Sequence, residues 1–88
     1  MSDQYFNPQA TRKLIASMTI YCNDLNDNIK VLNEAANVCD QAMGSDDISK
    51  KYIQQLRESI DKMLRAKELT ENAIFELTAE LKDGVDII

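Results

Sequence analysis

The sequence predicts an all-α protein, an antiparallel two-helix hairpin that pairs into a four-helix bundle. Three observations predict it. The 88 residues contain only two Gly and one Pro, too few for a sandwich or barrel of short strands. One apolar seam recurs every seven residues over four heptads. A single Gly-containing break, Met43-Gly44-Ser45-Asp46-Asp47, divides the chain into halves of similar length. The length allows one domain, residues 1–88.

The first helix is expected over about residues 8–43. Asn7 supplies an N-cap oxygen, and Pro8 stands at the first helical position, where its missing N–H costs nothing. Pro8 to Met43 spans 36 residues with no further Pro and no Gly, about 54 Å of helix. Ile15, Cys22, Ile29, Ala36 and Met43 form one heptad series. Met18, Leu25, Leu32 and Cys39 form the second, three residues later. Leu14 and Tyr21 are expected to widen this seam.

Gly44 suits the position after a helix end, where a positive φ is needed. Asp47 is the favoured cap of the next helix, with Ser45 and Asp46 as neighbours able to serve. The turn is placed at 44–47 and the second helix at about 48–83, ended by Gly84 with a tail at 84–88. Two long helices joined by so few residues fold back on each other. On the second helix, Ile48, Tyr52, Leu56, Met63, Ile74, Leu77 and Leu81 read as the main stripe. Lys67 and Thr70 interrupt it. Glu58–Lys62 and Asp61–Arg65 are i,i+4 pairs that read as exposed surface.

Composition removes several function classes. A formal charge of −5 argues against a protein that neutralises nucleic-acid phosphates and against a basic membrane-surface helix. With no His and two Cys, the usual zinc ligand sets and His-based catalysis are excluded. Neither a metal nor a cofactor is expected. Asp46/Asp47 and Glu76/Glu80 are explained by capping and by an exposed helix face, so no enzyme is expected. No run approaches 18 apolar residues, and the N-terminus has no signal-peptide pattern. A cytoplasmic protein is expected. Cys22 and Cys39 stand roughly 25 Å apart on one helix, too far for a disulfide within the chain, and read as reduced core thiols.

What remains is a surplus of apolar residues. The hairpin seam uses one stripe per helix, yet Ile20, Val31 and Val38 lie far round the first helix from it. Ile53, Ile60, Leu64 and Phe75 flank the stripe of the second. Leaving such a set in water forfeits on the order of 10 kcal/mol. These seven residues are expected to form a partner interface. The alternatives are a marginal monomer that leaves them partly exposed, or cover by the chain's own termini, through Tyr5, Phe6, Val85, Ile87 and Ile88.

The pattern resembles the WXG100/ESAT-6-like family of small helical hairpins, partners and substrates of type VII secretion. The resemblance spans nearly the whole chain as architecture. It is most sequence-like from Gln41-Ala42-Met43-Gly44 onward, through Tyr52-Ile53-Gln54-Gln55-Leu56-Arg57 to Met63. Ala42 stands where the family has the Trp of its Trp-x-Gly turn, so only Gly44 of that motif is present. The C-terminal Tyr-x-x-x-Asp/Glu signal is absent, and Phe75 with Glu80 is one residue too widely spaced. The resemblance therefore implies a targeting chaperone or partner that pairs with a second helical hairpin. That partner is either another copy or a different chain, such as the helical N-terminal region of an LXG-type toxin. It also implies export by a type VII route. Two other functions fit the same pattern: a self-assembling structural subunit, and a small cytosolic immunity or antitoxin-type binding protein.

Overall fold

The computed structural model describes residues 7–43 and 46–86. Two helices account for nearly all of them: α1 (Pro8–Met43) and α2 (Asp47–Asp86). No strand occurs among the described residues. The helices pack along each other as a hairpin, and the all-α fold class is as the sequence predicts. Gly44 and the ends Tyr5, Phe6, Ile87 and Ile88 lie outside the described residues, as does the side chain of Val85.

The start of α1 is capped as its sequence implies. The Ala10 N–H donates to Asn7 Oδ1 at 3.1 Å, and the Thr11 N–H to the Asn7 carbonyl at 3.0 Å. At α2 the cap is Asp46, one residue earlier than expected. Its Oδ1 accepts the Ser49 N–H at 2.7 Å, and its carbonyl accepts the Lys50 N–H at 3.1 Å. Asp47 is instead the first helical residue, where its carboxylate faces the positive helix end. The far end also differs. The helix continues through Gly84 to Asp86, because a glycine weakens a helix by about 1 kcal/mol without forbidding it.

The hairpin is a rod, 63 × 21 × 15 Å, with a radius of gyration of 19.3 Å. A compact chain of this length would have a radius near 12 Å. The core is correspondingly thin. Among the described residues, Cys22, Leu25, Ile29, Ala36 and Ile60 are the buried apolar side chains. Met18, Leu32, Leu56, Met63, Ile74 and Leu77 flank them, half-buried.

Two contacts fix the register between the helices. Cys22 Sγ lies 4.0 Å from the Lys67 carbonyl oxygen, and Cys39 Sγ lies 3.8 Å from Ser49 Oγ. Ser49 is fully buried, so a small side chain stands where the helices approach near the turn. Both cysteines are thiols, Cys22 buried and Cys39 half-buried.

Candidate protein–protein interface

The seam of α1 is the one its heptads predict. Cys22, Leu25, Ile29 and Ala36 are buried, with Ile15, Met18, Leu32 and Cys39 half-buried beside them. The seam of α2 keeps Leu56, Met63, Ile74, Leu77 and Leu81 of the expected stripe, with Lys67 and Thr70 within it, and differs toward the turn, where Ser49, Ile53 and Ile60 take the place of Ile48 and Tyr52. Burial follows Ser49, Ile53, Leu56, Ile60, Met63, Lys67, Thr70, Ile74, Leu77 and Leu81. Their spacing alternates between four and three residues without a break, which is a heptad seam. Ile48 and Tyr52, expected in the stripe, are exposed instead.

That difference near the turn corrects the expected interface. Ile60 is only 7% exposed and belongs to the hairpin core. Ile53 is half-buried in the same seam. Ile60 is therefore closed off from a partner, while Ile53 keeps part of its side chain exposed. Ile20 (61%), Val31 (62%), Val38 (56%), Leu64 (46%) and Phe75 (76%) are exposed. They do not form one patch. Leu14 and Tyr21 are about half-exposed, so they border the seam rather than widen its buried part.

Successive helical residues are rotated by about 100°, which places each exposed side chain relative to the seam. In an antiparallel pair, heptad positions g and c of both helices open onto one broad face, and e and b onto the other. On α1 the g and c positions include Leu14, Tyr21, Val31, Ala35, Val38 and Ala42. On α2 they include Ile48, Tyr52, Ser59, Ala66, Leu69 and Ala73. Ten large apolar side chains are exposed among the described residues. Seven of the ten, Leu14, Tyr21, Val31, Val38, Ile48, Tyr52 and Leu69, lie on this face. The opposite face has Asn23, Asn26, Asn33 and Asn37 along α1, and Lys50, Arg57, Asp61, Glu68 and Glu71 along α2. Leu64 and Phe75 stand among those polar groups, and Ile20 points outward between the faces. The first face is therefore largely apolar, with Asp24, Lys62, Glu76, Glu80 and Asp83 as its charged residues, and the other is largely polar.

Local relief follows the same division. A shallow depression of about 550 Å³ on the apolar side is lined by Val31, Glu34, Ala35, Val38, Cys39 and Ala42. A second, about 520 Å³, lies on the polar side and is lined by Asp40, Lys50, Ile53, Gln54, Arg57, Glu58 and Asp61. Among the described residues, no group of three or more His, Cys, Asp or Glu could hold a metal ion. No helix there is long and apolar enough to cross a membrane.

The accessible surface totals 6978 Å². A compact monomer of this mass exposes about 5,200 Å². The fold and this surface define a class: a two-helix hairpin with one largely apolar face exposed. Comparisons with family models, curated proteins and solved structures find no match to this chain.

Proposed function

We propose that this chain is a non-enzymatic binding protein that docks on another helical hairpin and completes a four-helix bundle. The observation that carries this reading is the collection of seven large exposed apolar side chains on one face. Monomers rarely keep a contiguous apolar patch of more than a few hundred Å² in water. Helix pairs covered on only one side commonly gain their second layer from another pair.

The proposed setting is type VII secretion, as a WXG100-like partner, targeting chaperone or substrate. Its support is the resemblance at Gly44 and along Tyr52–Met63, with the absence of the Tyr-x-x-x-Asp/Glu signal favouring a partner role over autonomous export. The protein would be made in the cytoplasm and leave, where it leaves, with its partner by that route.

The test is co-expression with helical proteins encoded beside its gene, including any LXG-type toxin, followed by sedimentation of the purified chain and complex. A complex of two hairpins, or a pure chain of twice the monomer mass, is the expected result. A chain that stays monomeric at high micromolar concentration and captures none of these partners overturns the reading.

A further inference from the structure

We infer that the occupant of the apolar face is a different helical hairpin, apolar where it meets the turn end of this rod and carrying Lys or Arg where it meets the open end. This rests on the docking reading above and adds the partner's chemistry to it.

The face is divided along its length. From Asn28 to Ala42 on α1 and from Ile48 to Ser59 on α2, its g and c positions hold no charged residue. Val31, Val38, Ile48 and Tyr52 are the large exposed apolar side chains of this half. The other half differs. The contacts of Cys22 with Lys67 and of Cys39 with Ser49 set the last turns of α2 beside the first turns of α1, at the end of the rod away from the turn. There Glu76, Glu80 and Asp83 occupy c and g positions, all exposed. The g and c positions of α1 at that end, Ala10, Leu14 and Ser17, supply no cation. Asp24 and Lys62, of opposite charge, both stand near the middle of the rod. The uncompensated charge of the face is therefore negative and lies at the open end.

Charge complementarity selects the occupant. Two copies of this chain can stack face to face in full register in two ways. With both turns at the same end, the two acidic ends meet, and like charges repel. With the turns at opposite ends, each acidic end lies on the uncharged apolar half of the other copy. Lys62 stays at mid-rod and reaches the three carboxylates in neither arrangement. Both take carboxylates out of water with no cation to meet them, which is costly. A hairpin that is apolar throughout would do the same. A hairpin with Lys or Arg over Glu76, Glu80 and Asp83 pairs these groups, and the acids then exclude self-pairing while admitting that partner.

The test uses the full-length chain and the helical proteins encoded beside its gene, each purified. Sedimentation gives the mass of the chain alone, calorimetric titration gives Kd, and circular dichroism checks helicity. The chain alone should sediment as a monomer. It should bind one of these hairpins with a Kd that rises roughly tenfold between about 0.05 and about 0.5 M NaCl. Glu76→Lys/Glu80→Lys should raise Kd roughly tenfold at low salt. Glu68→Lys/Glu71→Lys makes the same change in net charge on the polar face and should leave Kd within about twofold. Val38 is exposed in the hairpin, so Val38→Asp should keep helicity while raising Kd by ~100-fold or more.

A pure chain that dimerises through Val38 overturns the different partner and leaves the docking reading standing. A hairpin lost on Val38→Asp yet indifferent to salt and to Glu76→Lys/Glu80→Lys overturns the basic partner alone. Equal weakening by the two double variants overturns it as well, since net charge and not the open end then governs binding. A monomer that captures nothing removes both the inference and the docking reading.

Discussion

At the start of α2, three consecutive polar residues could each cap the helix. Ser45, Asp46 and Asp47 all have the required side-chain oxygen. Geometry chooses Asp46, whose carboxylate reaches the N–H three residues on while Ser49 closes against Cys39. Composition alone shows that a cap is present and leaves its position open by a residue. Asp46→Ala should therefore lower unfolding free energy by about 1 kcal/mol in urea titration, and Asp47→Ala by less than about 0.5 kcal/mol. Equal losses would mean that the cap is shared. Ser49 makes a similar point about size. Polar and fully buried, it occupies a seam position that an apolar-stripe reading passes over. Ser49→Leu should push the helices apart near the turn and cost about 1–3 kcal/mol by overpacking.

The two helices differ in how readily they can be read. On α1 the apolar residues of the seam repeat at strict heptad spacing, and burial follows them from Ile15 to Cys39. On α2 two apolar stripes compete. Ile48 and Tyr52 continue into Leu56 and Met63 at helical spacing, and so do Ile53 and Ile60. The polar residues decide between them. Only the register containing Ser49, Lys67 and Thr70 keeps the four-three alternation along the whole helix. Thr70 is tolerated there because its hydroxyl donates to the Ala66 carbonyl at 2.7 Å. Lys67 is half-buried opposite Cys22. A single polar residue at such a position fixes register at a cost in stability. Lys67→Leu should raise unfolding free energy by about 1–2 kcal/mol in urea titration, by replacing a half-buried ammonium with apolar surface. A loss of stability would show instead that the lysine stem and its charge are held by favourable contacts.

For the whole molecule, the sequence reveals a surplus of apolar residues but not how they divide. Ile53 and Ile60 belong to the α2 seam near the turn, in the stretch where Ile48 and Tyr52 are expected from the apolar stripe. With them in the seam, Ile48 and Tyr52 lie outside it beside Leu69, and seven of the ten exposed large apolar side chains share one face. That face couples folding to association. A rod with few buried apolar side chains has little stability of its own, and pairing would add to it by mass action. Unfolding of a complex of this 88-residue chain with a hairpin of similar size absorbs about 120 kcal/mol per mole of complex at typical enthalpies per residue. At that enthalpy each tenfold dilution of the equimolar complex should lower the thermal midpoint by about 4 °C. The midpoint of the chain alone should lie lower and not move on dilution, since it melts as a single hairpin. Circular dichroism melts from low to high micromolar concentration measure both slopes. A flat midpoint for the complex would mean that the hairpin holds its fold without covering Val31, Val38, Ile48 and Tyr52.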